Sequence, residues 1–325
     1  MVRSSTVAAF GVVALVALIG SCGAPPTTIV SAATPTALFI PLVGKPAAGP
    51  TLAGCPMFPP DNPWNRDVSA DAVDPNSAAY ISTILADNSF LHPDFGGGGV
   101  YGIPYTTVEQ NQPLVPVSFD YADESDAGPY PIPPNAPIEQ GGDRHVLVVQ
   151  KGSCKLYELY AAERAGAGWQ AGSGAIFDLN SNALRPDGWT SADAAGLPIL
   201  AGLARYDEVA AGEIRHALRF TVERSQRAYI HPATHYASSL TDTSLPPMGL
   251  RLRLKASFDT SRYTGQSRVI LEALKRYGMI VADNGSSWFI SGASDPRWDD
   301  DDLEQIKRVP GSAFEVVKAG TIYRP

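Results

Sequence analysis

The sequence is short of cysteine, of basic charge and of long apolar runs, and each shortage excludes a class of protein. Only three of its 325 residues are cysteine, and no Cys-x-x-Cys or Cys/His cluster of a structural zinc site occurs. Lys and Arg total 25 against 33 Asp and Glu, which gives a net charge of −8 and no basic cluster for nucleic acid. The apolar run at residues 7–20 is shorter than the roughly 20 residues that cross a bilayer core.

Several catalytic and ligand-binding motifs are also missing. Residues 171–175 contain Gly-Ser-Gly without the Gly-x-Ser-x-Gly frame of a nucleophile elbow. The glycine run at residues 96–99 lacks the Lys and Ser/Thr of a phosphate loop. The acidic run at residues 299–302 lacks the spacing of an EF-hand and instead predicts a helix start. We therefore expect no cofactor and no metal ion.

The first residues have the pattern of a bacterial export signal. A positive start at Arg3 precedes the apolar run, and Ile19-Gly20-Ser21-Cys22 resembles a lipobox, whose cysteine is lipidated and becomes the new N-terminus. We therefore expect a lipoprotein signal peptide at residues 1–22 and an envelope protein that is anchored to the membrane only through Cys22. A plain signal peptide cut near Ser21 is the alternative.

Composition divides the rest of the chain into a tether and a domain. Residues 23–54 are rich in Pro, Ala and Thr and poor in charge, which favours an extended tether. Residues 55–325 show no internal repeat or second linker, and we predict a single β-rich globular domain there. If Cys22 is lipidated, an oxidising compartment predicts a disulfide between Cys55 and Cys154; two free buried thiols are the alternative.

Short β-like runs and frequent turns predict a mainly β fold. The chain has 28 prolines and 30 glycines, and residues 146–149 are continuously apolar, as in a strand that is covered on both sides. Helical spacing of apolar residues favours helices at residues 265–277 and 75–86. Asn284-Gly285 predicts a hairpin. The fold class that fits is a β-sandwich, jelly-roll-like in form, with two or three peripheral helices.

The densest polar stretch, residues 175–193, is a candidate sugar site. Asp178 and Asp193 supply carboxylates, and Trp189 supplies a ring face on which a pyranose can stack. Such residues are also ordinary turn and capping residues, because Asp and Asn side chains bond to nearby backbone in loops.

A second candidate site combines arginine, histidine and tyrosine. Arg215-His216 is followed by Tyr229 and His235 on what we predict to be neighbouring strands, and these residue types can neutralise a carboxylate and move a proton, as in a uronic-acid lyase. Pro232 excludes the helical spacing of a His-Glu-x-x-His zinc site. Histidines that are simply hydrogen-bonded at a sheet surface are the alternative.

A third candidate is Asp283, with Trp288 close behind it as a ligand-binding ring. Asp283 could pair with Asp178 or Asp193 as the two carboxylates of a glycosidase. Asp-Asn-Gly is also ideal hairpin chemistry and needs no ligand.

Several stretches resemble a family of uncharacterised exported bacterial proteins. They are His92-Pro93-Asp94-Phe95-Gly96, residues 123–131, Gly141-Gly142-Asp143-Arg144-His145, residues 189–198 and Ile214-Arg215-His216-Ala217-Leu218. The resemblance covers most of the chain from Cys55 onward. It implies a family unit and assigns no activity or catalytic residue.

Together these features predict an exported surface lipoprotein that acts on an extracellular glycan or cell-wall polymer. The leading hypothesis is a carbohydrate-active enzyme, either a hydrolase or a lyase, and it predicts that Asp193 and His216 converge on one cleft. The alternative is a non-catalytic protein that binds glycan or cell wall, or builds envelope structure. A redox role is disfavoured because the predicted disulfide lacks the short spacing of an exchange motif.

Overall fold

A computed structural model describes residues 49–324. The signal peptide, the lipidation site Cys22 and residues 23–48 of the predicted tether lie outside the described residues. Within residues 49–324, no helix is both long and apolar enough to cross a membrane.

The described chain is mostly β, with 27% strand and 18% helix. Its strands are β1 (Thr51–Leu52), β2 (Cys55–Pro56), β3 (His92–Asp94), β4 (Tyr105–Val108), β5 (Val117–Phe119), β6 (Val146–Gln150), β7 (Lys155–Tyr160), β8 (Glu163–Ala165), β9 (Gly168–Ala171), β10 (Ser173–Asp178), β11 (Leu218–Val222), β12 (Arg251–Leu254), β13 (Met279–Asn284), β14 (Phe289–Ser291) and β15 (Phe314–Val316). Its α-helices are α1 (Ser77–Asp87), α2 (Tyr206–Ala210), α3 (Gly265–Arg276) and α4 (Asp300–Leu303). The mainly β prediction is confirmed.

The strands form several sheets, of which two carry the architecture. One has six strands in the order β15-β12-β13-β11-β14-β3, and the other has four in the order β10-β7-β6-β4. Both sheets are mixed, because β11 pairs with β13, β14 with β3 and β4 with β6 in parallel. Two smaller sheets, β5-β9-β8 and β1-β2, complete the set.

The two larger sheets share one hydrophobic core. Leu147 and Val149 of β6 contribute to it from one sheet, and Phe220 of β11 contributes from the other. Val146 and Val148 alternate with them and belong to a second apolar cluster on the opposite face of β6. The prediction that β6 is covered on both sides is therefore confirmed.

Helix α3 packs on the six-stranded sheet and confirms the helix that was predicted at residues 265–277 from the spacing of apolar residues. Its Ile270 and Leu274 side chains are fully buried. The chain turns after the helix at Gly278, which has a φ of +71°, and a Cβ at that position would lie 2.2 Å from the Leu252 carbonyl oxygen. Glycine therefore ends the helix and allows the close approach of β12.

The disulfide between Cys55 and Cys154 is present, as predicted. It ties β2 to the turn between β6 and β7 across a sequence separation of 99 residues. In the chain-entropy account, closing a loop of about 100 residues stabilises the folded state by about 4.7 kcal/mol.

Two local predictions are wrong. Asn284-Gly285 does not form a hairpin, because β11 lies between β13 and β14 in the sheet. Residues 228–231 are not a strand; Tyr229 makes only isolated bridges to Met248 and Tyr323. In both places, pairing with distant strands overrides the local turn and strand preferences.

Candidate functional site

A polar cleft of about 470 Å³ lies on one face of the six-stranded sheet. Strand register sets its floor: Asp94 of β3 is opposite Ser291 of β14, and Phe289 of β14 is opposite Thr221 of β11. Residues opposite one another in a sheet project from the same face. These four side chains all line the cleft.

A β-bulge directs Asp283 into the same cleft. Phe220 is opposite Val281, but the next residue of β11, Thr221, is opposite Asp283, so β13 has one extra residue, Ala282, at this point. Without the extra residue, Ala282 would be opposite Thr221 and the Asp283 side chain would project from the other face. The bulge therefore places a carboxyl group beside Thr221 in the cleft.

Residues 139–145, which lead into β6, supply another part of the cleft lining. Glu139 and His145 line the cleft, and the Nδ1 atom of His145 lies 2.5 Å from Oε2 of Glu139. The other ring nitrogen, Nε2, lies 3.1 Å from the carbonyl oxygen of Ala192. Because a carbonyl oxygen only accepts, and an ionised carboxylate likewise accepts, both ring nitrogens donate and the imidazole is the charged form.

Arg219 joins the floor of the cleft to the protein interior. Its guanidinium donates to both carboxylate oxygens of Asp193, at 3.0 and 3.3 Å, and to the hydroxyl of Ser291 at 2.8 Å. Arg219 lines the cleft, whereas the Asp193 side chain is 0% exposed. From the protein interior, Asp193 thus neutralises the charge of Arg219 and orients its guanidinium.

The carboxyl groups of the cleft differ in acidity. Burial, reinforced by the negative charge of Asp193, raises the pKa of Asp283 to about 7. Burial would also raise the pKa of Glu139, but the hydrogen bond and positive charge of His145 outweigh it and hold that pKa below its usual value. At neutral pH, Asp283 therefore holds a proton for a large part of the time, whereas Glu139 is ionised.

The cleft shares lining residues with two further cavities, and we call the three together the groove. One cavity of about 360 Å³ shares Asp143 and Asp283 with the cleft and adds Tyr121. The other, also about 360 Å³, shares Asp94 and Tyr101 with it. The Tyr101 and Tyr121 side chains are 63% and 56% exposed. The groove thus includes Asp283 and two exposed aromatic rings, Tyr101 and Tyr121.

Only Asp283 lines the cleft among the residues of the first and third candidate sites, which are Asp178, Trp189, Asp193, Asp283 and Trp288. Asp178 is exposed and accepts a hydrogen bond from the Asn180 backbone in a turn. The Trp189 ring stacks under the guanidinium of Arg185 at 5.6 Å. Trp288 is fully buried between Phe220 and Phe314 and is part of the core.

The arginine, histidine and tyrosine residues of the second candidate do not form one site. Arg215 pairs with Glu213 at 2.7 Å, and Tyr229 stacks on Tyr323. His235 lies 3.0 Å from the Ala194 carbonyl oxygen.

His216 is fully buried in a network separate from that of Asp193. Its Nε2 atom lies 3.0 Å from Glu208, which also pairs with Arg205 at 2.5 Å. Asp193 pairs with Arg219 instead, and neither Asp193 nor His216 lines the cleft. Buried ionisable groups need partners, and each here has its own.

Sequence reasoning missed Glu139, His145 and Arg219. The available signal was Gly141-Gly142-Asp143-Arg144-His145, a glycine-rich polar run directly before the fully buried strand β6. Functional residues often lie in a loop that leads into a rigid strand. Within residues 49–324, no cluster of three or more His, Cys, Asp or Glu side chains has the arrangement of a metal site.

Comparison of the chain with protein-family models, curated protein sequences and solved structures finds no match. The chemistry of the cleft is therefore the basis on which a function can be assigned.

Proposed function

We propose that this protein is an exported enzyme that hydrolyses glycosidic bonds in an extracellular glycan. One observation carries the proposal: two carboxyl groups, Asp283 and Glu139, line one cleft and have pKa values displaced in opposite directions. Glycoside hydrolysis uses one protonated and one ionised carboxyl group at the bond that breaks, in both its inverting and its retaining form.

In this mechanism Asp283 is the general acid. Its proton moves to the glycosidic oxygen as the bond to the anomeric carbon breaks. Glu139 is the ionised partner on the other side of the sugar. Its Oε2 atom receives both hydrogen bonds from His145, so Oε1 is the oxygen that would act on water or on the anomeric carbon. His145 and Arg219 are positioning residues that keep the cleft charges in place.

The charge of the cleft favours a neutral or cationic glycan. Asp94 and Asp143 line the cleft beside the two catalytic carboxyl groups. The two cations, His145 and Arg219, are each already paired with a carboxylate. A uronic-acid polymer would be repelled by this surface, so hydrolysis fits better than the lyase reaction.

The groove favours an extended chain as the substrate. Exposed Tyr101 and Tyr121 line the two cavities that adjoin the cleft, and each can stack on the C–H face of a further sugar unit. The same two rings are what favours the second candidate function, a glycan-binding module without catalysis.

Two finer structural proposals accompany this function. The shared core of the six- and four-stranded sheets supports a sandwich-like arrangement of the two. The disulfide supports a compartment outside the reducing cytoplasm, and lipidation at Cys22 would hold the domain at the cell envelope.

The test is product release from a panel of neutral, cationic and uronic polysaccharides. New reducing ends report hydrolysis, and ultraviolet absorbance of an unsaturated product reports lyase activity. Asp283→Asn and Glu139→Gln should each lower the rate by about 10²–10⁴-fold, the usual contribution of a general acid or base. Asp178→Asn, the same substitution in an exposed turn, should leave the rate unchanged.

The result decides between the two functions. Hydrolysis that survives in both cleft variants would place the reaction elsewhere. Retention on an immobilised glycan without product release, lost in Tyr101→Ala, would establish the binding module instead.

A further inference from the structure

A second cavity, which shares no lining residue with the groove, carries an unusual charge. It has a volume of about 340 Å³ and lies between residues 63–66, strand β12 and residues 317–320. Its ionisable lining residues are Arg66, His231, Arg251 and Lys318, and no Asp or Glu lines it. In a chain with a net charge of −8, a cavity lined only by basic ionisable groups requires an explanation. We call it the basic cavity.

Arg251 is the central group of the basic cavity. Its partly buried guanidinium donates to the Pro63 carbonyl oxygen, and within residues 49–324 no carboxylate lies at ion-pair distance from it. By contrast, Arg253 on the same strand forms an ion pair with Glu315 at 2.8 Å. A guanidinium carries five N–H donors, so Arg251 has donors that the fold leaves without an anionic acceptor.

The charge of Arg251 is costly in the absence of an anion. Burial lowers the pKa of Arg251 to about 9, and the positive charge of Arg66 acts in the same direction. Asp71 opposes this effect but is itself paired with Arg66 at 2.6 Å. A buried cation without a counter-ion destabilises a fold, and a bound anion would remove that cost.

The other cations of the basic cavity leave room for a ligand. Lys318 is exposed and, among the described residues, makes no ion pair. Arg66 keeps 51% of its side chain exposed although it pairs with Asp71. His231 lies 2.7 Å from Asp187, which does not line the cavity. Arg66 and Lys318 thus line the same cavity as the Arg251 guanidinium.

We propose that the basic cavity binds a phosphate or sulfate group, either as the free ion or as an ester on a larger molecule. Arg251 would donate two parallel hydrogen bonds to two of its oxygens, the arrangement that guanidinium groups favour with oxyanions. Lys318 and Arg66 would close on the remaining oxygens. The volume of the cavity is in the range of small-molecule sites, which allows an ester to extend beyond the anionic group.

Titration of the full chain with inorganic phosphate, at constant ionic strength in chloride, tests the proposal. Phosphate should raise the melting temperature saturably, and calorimetry should report one site. Phosphate also stabilises proteins non-specifically by exclusion from the surface, but that effect does not saturate and should be equal in every variant.

Two variants and one control give the test its specificity. Arg251→Gln and Lys318→Gln should each raise the half-saturating phosphate concentration by about tenfold or more, the loss expected for a charge-assisted hydrogen bond. Lys318 is exposed, so Lys318→Gln should fold even if Arg251→Gln does not. Arg262→Gln, which removes a 77% exposed arginine outside the basic cavity, should bind as the unaltered protein does.

The outcomes are distinct. Tighter binding of glycerol phosphate than of inorganic phosphate would identify an ester as the natural ligand, and the reverse would identify the free ion. Absence of a saturable response, or binding in both cavity variants as tight as in the unaltered protein, would overturn the proposal.

Discussion

Substitution of Arg219 by Met would leave the Asp193 carboxylate without its partner in the protein interior. The two side chains are 6% and 0% exposed, and two hydrogen bonds join them. Removal of one partner of a buried ion pair lowers the free energy of unfolding by about 3–5 kcal/mol, because the remaining charge contacts neither solvent nor a partner. For a domain of this size, that corresponds to a melting temperature lower by about 6–20 °C.

The pH dependence of this loss provides a second check. Burial raises the pKa of Asp193, and Arg219 is the largest influence that lowers it. Without Arg219, the folded-state pKa rises further above its value in the unfolded chain. Stability from a group of this kind is present below the unfolded pKa and is lost as the pH rises through the folded pKa. The deficit of Arg219→Met should therefore be larger at pH 7 than at about pH 4.

Denaturant unfolding followed by circular dichroism measures both effects. Arg297→Met removes an arginine that is 51% exposed and paired at the surface, and it should lower the unfolding free energy far less than Arg219→Met does. The double variant Asp193→Asn/Arg219→Met should recover part of the loss, because neither of the two positions then carries a buried charge. If Arg219→Met costs no more than the Arg297→Met control, the interpretation of Asp193 as the structural partner of Arg219 is refuted.

Three further predictions concern stability. Because the pKa of Asp283 is raised to about 7, its stabilising contribution is lost as the pH rises from about 4 to about 7. Asp283→Asn should therefore melt at a higher temperature than the unaltered protein at pH 8 but not at pH 4. Equal melting temperatures at pH 8 would contradict the raised pKa. Cys55→Ser/Cys154→Ser should lower the unfolding free energy by about 2–5 kcal/mol in urea, and an unchanged midpoint would contradict a structural role for the disulfide. Gly278→Ala should cost about 1–3 kcal/mol by the same assay, and Gly212→Ala, also at positive φ but with no atom near its Cβ, should cost less.

The sequence patterns that predicted structure correctly are those set by local periodicity. Strand β6 is continuously apolar because both of its faces meet a core, and α3 repeats its apolar residues at helical spacing and ends at Gly278. The disulfide followed from counting the cysteines. Each of these signals lies within a short window or in composition, so it can be identified without the fold.

The site was less predictable because it depends on long-range pairing. Asn284-Gly285 favours a hairpin locally, yet β11 inserts between β13 and β14 and brings Arg219 beside Ser291. The bulge that directs Asp283 into the cleft has no signature in sequence, since it arises only when β13 pairs with β11. Glu139 and His145 lie far from Asp283 in the chain, and only the tertiary fold brings them to the same cleft.

The most direct test of the central claim is the pH dependence of kcat/KM for reducing-end release from the best neutral polysaccharide of the panel. If Asp283 is the general acid, the rate should fall as the pH rises through about 7, because its carboxyl then loses the proton that it donates. Asp178→Asn should keep this profile, and Asp283→Asn should lose both the rate and the alkaline limb. A rate that stays constant across pH 7, or an Asp283→Asn variant as active as the unaltered protein, would contradict the account.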